Sequence, residues 1–200
     1  MKRKIISCIL LLCVCASSLI ASAQLSEDAA LNAQVVRLHV IAASDSQEDQ
    51  RVKLLVRDAI LEVLQPMKAS NSEEAIRELR MKLDDLAACA RQVLAREGME
   101  KSIEVRLCTE EYPVRDYGTF ALPAGEYVSL QVRLGEAEGQ NWWCVVYPGL
   151  CHATDDEAFL QVAEAAGLSD GQIRLMTVDS TQVQFRFKLL ELLQKIKNFF

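Results

Sequence analysis

"REGMEKSIEVRLC", Arg96 to Cys108, is where the spacing of apolar residues changes. Ahead of Gly98, Ile76, Leu79, Leu83, Leu86, Ala90 and Val93 recur every three or four positions and form one helical stripe. Beyond it, Ile103, Val105 and Leu107 alternate with Glu104, Arg106 and Cys108, the period of a half-buried strand. Gly98 suits the stop between the two patterns. Working back, "NSEEA" from Asn71 opens that helix with a capping residue, and Pro66 ends the one before it. The earlier helix carries Val52, Leu55, Val56, Ala59, Ile60 and Val63 on one side. It opens at "SDSQEDQ", where Ser44, Asp45 and Ser46 are N-cap types and Glu48 and Asp49 suit a helix N-terminus. Val36 to Ala42 alternates and predicts a strand.

Working forward, Tyr127 to Leu134 alternates, and Trp142 to Tyr147 is a shorter strand. "LPAGEY" and "GEAEGQN" are the turns ahead of these strands. A helix is expected over Asp156 to Ala166, closed by Gly167. Val183 to Phe187 is a last strand or the start of a terminal helix bearing Leu189, Leu192, Leu193, Ile196 and Phe199. Helices followed by strands predict an α+β domain, a mostly antiparallel sheet with helices packed on one face. No repeat or low-complexity linker interrupts residues 24–200, so one domain is expected there.

The first 23 residues read as a secretory signal peptide. Lys2, Arg3 and Lys4 precede an uncharged run from Ile5 to Ile20, and Ala21-Ser22-Ala23 is an A-x-A cleavage signal. The competing reading is an uncleaved anchor, although the run falls short of the ~20 residues that span a bilayer comfortably. Cleavage would take the 22 basic residues to 19 against 28 acidic ones, a net charge of −9. Such a chain would be repelled by phosphates, so nucleic acid and anionic membranes are poor partners.

Four of the seven cysteines, Cys89, Cys108, Cys144 and Cys151, lie beyond the leader. Export permits disulfides, and four thiols allow three complete pairings. Spacing ranks Cys144 with Cys151 first, because Pro148-Gly149 between them favours a turn. Cys89 borders the apolar stripe and is expected to be a buried free thiol.

A search for chemistry finds no G-x-S-x-G. The two histidines, His39 and His152, have no H-x-x-H or H-E-x-x-H partner, so no metal, cofactor or small-molecule substrate is implied. The sharpest enzymatic alternative is a secreted hydrolase or transpeptidase in which His39 activates Cys144 or Cys151. Against it, His39 shares a strand side with Arg37 and Ile41, where an imidazole is more often structural. Trp142 and Trp143, adjacent in a strand, must face opposite ways, so one is expected near the surface as an anchor for a protein partner. The competing reading is that both are core, with helices on both sheet faces or Trp142 in the turn.

Two blocks carry a resemblance. "RLHVIAASDSQEDQRVKLLVRDAIL" (Arg37–Leu61) and "YGTFALPAGEYVSLQVRLGEAEGQNWWCVVYPGLC" (Tyr117–Cys151) resemble the stage II sporulation protein R family of endospore-forming bacteria. The Y-G-x-F-x-L-P-A-G-E-Y run followed by G-x-N-W-W-C is the more specific. Ala43, where the family usually has Asn before Ser-Asp, and Gly149, in place of a second Pro, depart from the pattern. The resemblance implies a non-enzymatic messenger, made in the forespore and exported into the space between forespore and mother cell. There it would activate a membrane-embedded aspartic protease that processes the precursor of sigma E. Motif membership and side-chain chemistry together nominate Tyr117, Phe120, Pro123, Gly125, Glu126, Asn141, Trp142 and Trp143 as partner contacts. The same motifs carry Cys144–Cys151 as the pair and His39, Ser44 and Asp45 as a polar motif.

Overall fold

A computed structural model of the chain describes residues 26–153 and 155–177. The expected leader, the strand at Val183–Phe187 and the terminal helix lie outside the described residues. Helix α1 covers residues 26–34. It is followed by β1 (Val36–Ile41), α2 (Gln47–Leu64), α3 (Ser72–Arg96) and β2 (Ile103–Tyr112). A short hairpin, β3 (Arg115–Asp116) and β4 (Ala121–Leu122), leads into β5 (Gly125–Leu134) and β6 (Asn141–Tyr147). A 3-10 turn (Leu150–His152), α4 (Asp156–Ala165) and α5 (Asp170–Thr177) complete the described elements.

Local chemistry sets the helix ends. Ser46 caps α2 by accepting from the Asp49 amide at 3.1 Å. Asn71 caps α3 through the Glu74 amide, and Glu74 reaches back to the Ser70 amide at 2.8 Å. Gly98, at φ +70°, ends α3, with the Met99 amide bonded to Leu94 O at 2.9 Å.

The four long strands lie in the order β2-β5-β1-β6. β2 with β5 and β6 with β1 are antiparallel, as expected for most of the sheet. β1 and β5, however, run parallel, so the sheet is mixed. β5 enters between β1 and β2, and parallel neighbours cannot be joined by a hairpin. The two helices and β2 lie between them in sequence.

Each strand divides its residues between two cores. Val36, Leu38 and Val40 of β1, with Leu130, Val132 and Leu134 of β5, pack on Val52, Val56 and Ile60 of α2 and on Leu79, Leu86 and Ala90 of α3. Burying each of the Val, Leu and Ile side chains among them contributes about 1.5–3 kcal/mol. The opposite face corrects the expectation of helices on one side only. At one end of that face, Tyr112, Tyr127 and Val145 are apolar and have to be covered. Leu31 of α1, Phe120 to Leu122 around β4, Phe159 and Ala163 of α4, and Ile173, Leu175 and Met176 of α5 cover them. Nearer β6's start this face is polar and partly open.

The loop into β5 is held by a close approach. Gly125 has φ +150°, and a Cβ there would stand 2.3 Å from Asn32 Nδ2 of α1. Gly125→Ala is therefore expected to destabilise by about 1–3 kcal/mol, read as a fall in the thermal midpoint followed by circular dichroism. Adding Asn32→Ala should recover only the steric part. Full recovery would show that the dihedral carries no strain.

Candidate functional site

The open face is built from residues on the side of β1 that looks away from α2 and α3. Cross-strand register aligns Arg106, Gln131, His39 and Trp143 in one row, and Glu104, Arg133, Ile41 and Asn141 in the next. His39 is fixed from both sides. Its Nδ1 lies 3.0 Å from Glu110 Oε1, and its Nε2 lies 2.8 Å from Asn141 Oδ1. Gln131 bridges the row, donating through Nε2 to Glu110 and accepting from Arg106 Nε at 2.9 Å. Burial alone would raise the Glu110 carboxyl. Hydrogen bonding from Ser129, His39 and Gln131, with the charge of His39, outweighs it and holds the carboxyl below its usual range. An ionised Glu110 accepts the Nδ1 proton, and Nε2 is left to pair with the Asn141 side-chain amide.

Beneath this row lies a buried cation. Arg37 is fully buried, its guanidinium 4.2 Å from the centre of the Tyr112 ring and 4.8 Å from that of Tyr127. Its Nη2 donates to Tyr117 Oη at 2.6 Å, while Nε and Nη1 have no hydrogen-bond partner. The negative faces of the aromatic rings attract the guanidinium. Burial pushes the Tyr117 hydroxyl up, so it stays a neutral phenol against the cation.

The tryptophans face opposite ways, as alternation requires. Trp142, 37% exposed, lies on the α2 side with the Arg57 guanidinium 4.2 Å above its ring. Trp143 is half-buried on the open face, 5.6 Å from the His39 ring and under Arg115 at 3.6 Å.

The other nominated residues separate by environment. Glu126 and Asn141 are exposed. Phe120 is buried, stacked on Tyr117 at 4.8 Å and on Phe159 at 5.2 Å. Pro123 is buried and its carbonyl accepts from Tyr127 Oη at 2.7 Å. The Y-G-x-F-x-L-P-A-G-E-Y motif is thus mainly a packing device, with Gly125 under Asn32.

Ser44 and Asp45 tie the β5–β6 loop to the start of α2. Ser44 Oγ donates to Asp49 Oδ2 at 2.6 Å, and Asp45 Oδ1 accepts from the Gln140 amide at 2.7 Å. Lys101 completes the knot at Asp49 Oδ1. The hydrogen bonds from Lys101 and then Ser44 hold the Asp49 carboxyl below its ordinary value against its burial. Ala43, one of the two departures from the family pattern, meets the position a Cβ on Gly135 would occupy at 2.9 Å.

Cys144 and Cys151 are bonded, with Cα atoms 5.7 Å apart. The pairing ties up both sulfurs that the His39–cysteine dyad would use. Cys144 lies opposite Leu38 on the α2/α3 side of the sheet, whereas His39 lies opposite Trp143 on the other. Cys89 is free but half-buried, short of the full burial expected. Cys108 is the free thiol of the open face, and burial followed by the charge of Glu110 raises its pKa. It is the opposite of an activated thiolate.

Sequence reasoning missed Arg37, Glu110, Gln131 and Arg115 as members of the site. The alternation of β1 and β2 already put Arg37 with His39 and Glu104 with Arg106. Nothing local shows that β5 carries Gln131 in between. What the arrangement offers is a stiff, partly polar face ending at a strand that bears two indoles.

The family model described as stage II sporulation protein R matches residues 32–157. The stage II sporulation protein R of Bacillus subtilis (strain 168) is 37% identical over 160 residues, covering 76% of this chain and 71% of that relative. No solved structure was found to match the chain.

Two outcomes follow from the geometry. Asp49 has a depressed folded pKa, so its stabilisation is complete above the unfolded value of about 3.9 and is lost as pH falls through the lower folded value. The stability gap between the protein and Asp49→Asn should be constant above about pH 5 and shrink below about pH 4 in urea titrations. Cys144→Ser, Cys151→Ser and the double substitution should each lose a similar amount, about 2.5 kcal/mol by the loop-entropy relation. A marked difference between the two single variants would mean that one sulfur acts outside the bridge.

Proposed function

The chain belongs to the stage II sporulation protein R family, and from that premise we propose that it is an exported messenger of endospore formation. It leaves the forespore by its N-terminal leader and enters the space between the two membranes. There it activates a membrane-embedded aspartic protease of the mother cell, which processes the precursor of sigma E. The observation that carries this reading is family membership over residues 32–157. The physical setting suits it. Export agrees with the Cys144–Cys151 bridge. A messenger acts by binding one state of its receptor more tightly than another, which requires a stiff surface and no bond-making group. About 1,000 Å² or more of total buried area is expected for such a contact. The open face and the start of β6 offer half-buried and exposed aromatic and charged groups of that kind.

The test uses an endospore-forming host deleted for its own family member. Deletion should abolish processing of the sigma E precursor, and this chain supplied from a forespore promoter should restore it. The same chain without residues 2–23 should remain inside and fail. Restoration by that leaderless form would overturn the proposed location, and processing that survives the deletion would overturn the function.

A further inference from the structure

The two edges of the sheet are built differently. β2, at one end, carries Glu104, Arg106, Glu110 and Glu111. Charges of this sort are the usual protection of an exposed edge. β6, at the other end, reads NWWCVVY and has none. Its later part is tied back through Cys144 to the 3-10 turn, while Asn141 and Trp142 are exposed. The ladder fixes which backbone groups of the open part are free. The Ala42 amide donates to Gln140 O, one step beyond the Ile41–Asn141 pair. Alternation in an antiparallel ladder then turns Trp142 and Cys144 towards β1, and the N–H and C=O of Asn141 and Trp143 outward. No described strand pairs with them.

Each indole beside this edge carries a guanidinium. Arg57 over Trp142 already has a carboxylate, Asp58 Oδ1 at 2.7 Å. Arg115 over Trp143 has no carboxylate among the described residues, and its Nε is buried without a hydrogen-bond partner. In a chain that is acidic overall, a half-buried cation without a described anion beside an unpaired strand calls for a carboxylate from elsewhere.

We infer that the outer edge of β6 at Asn141–Trp143 takes up an extended, carboxylate-bearing segment as an added strand. Main-chain hydrogen bonds to Asn141 and Trp143 supply the attachment. Alternation supplies the specificity. A side chain beside Trp143 falls on the open face, where an Asp or Glu meets Arg115. Its neighbours fall on the opposite face, where apolar side chains cover the exposed indole of Trp142. The identity of the segment rests on the function proposed above, in which it belongs to the extracytoplasmic part of the protease.

The exported form of the chain, recovered from the medium, is mixed with seven-residue synthetic peptides of alternating Val and Glu or alternating Val and Lys. Amide exchange is followed by NMR. The Val/Glu peptide should slow the Asn141 and Trp143 amides at least tenfold, and the Val/Lys peptide should leave them unchanged. No slowing, equal slowing by both peptides, or slowing along β2 instead would overturn the inference. So would protection already present in the free protein, whether independent of concentration (an internal segment covers the edge) or rising with it (a second copy does).

In cells, Asn141→Pro removes an outward N–H without costing a ladder bond, and Arg115→Glu reverses the cation. Both should lower precursor processing at least tenfold, while Arg51→Glu, at a distant exposed pair, should not. If Asn141→Pro fails to fold, Arg115→Glu and the peptides decide. If processing needs the chain but both variants work at the normal rate, the inference falls and the proposed function stands. If processing does not need the chain at all, the proposed function falls and the peptides alone decide the edge.

Discussion

The alternation of side chains along β1 is the constraint on which the molecule is built. Val36, Leu38 and Val40 point into the core shared with α2 and α3, while Arg37 and His39 point to the other face. β1 is also flanked by a parallel neighbour on one side and an antiparallel one on the other, so its register places both β5 and β6. A slip of one residue would exchange the two sets. It would drive a guanidinium and an imidazole into an aliphatic core, where an unpaired charge is very costly. The register is therefore specified from both faces at once.

The second face meets the cost of burying polar groups in two different ways. Arg37 is surrounded by Tyr112, Tyr117 and Tyr127 and makes a single hydrogen bond. His39, Glu110, Gln131 and Arg106 instead form a connected chain of hydrogen bonds at the margin of solvent. The first is a packed cation that cannot move without disrupting three rings. The second is a set of groups each held by two partners. Together they make the open face rigid, which is what the binding role proposed for it would require. His39 is engaged in this network through both ring nitrogens, in keeping with the structural role that its place in an alternating strand favours.

Much of the fold was legible because it is local. The 3.6-residue stripes of α2 and α3, their caps at Ser46 and Asn71, and the alternation of β2, β5 and β6 all follow from neighbours in sequence. The bridge was ranked first because Pro148-Gly149 lies between its cysteines. The parallel pairing of β1 with β5 was not legible, since it depends on which strand enters the gap after two helices have packed. The second core was missed for a related reason. α1 and α5 are short, and their apolar residues become a face only against Phe120, Tyr127 and Phe159. Among the candidate contacts, motif membership did not separate packing from exposure. Phe120, Pro123 and Gly125 recur with Glu126 in one run, yet three of them hold the loop against α1 and α4 and only the fourth is exposed.

The bridge and the bare edge belong to one solution. An uncharged strand of high β-propensity at the end of a sheet invites uncontrolled pairing along its whole length. Cys144 is the midpoint of β6, and its bond to Cys151 commits the later half of the strand to the 3-10 turn that follows. What remains open is a stretch of three residues, too short to hold another strand by main-chain bonds alone. Any added strand must then be selected by the groups on either side of it, the indoles of Trp142 and Trp143 with Arg57 and Arg115 stacked upon them. A short edge flanked by side chains of fixed position gives low affinity to arbitrary strands and high affinity to a matching one. On that account the disulfide serves specificity through length, and the charges absent from β6 are replaced by cations placed beside it.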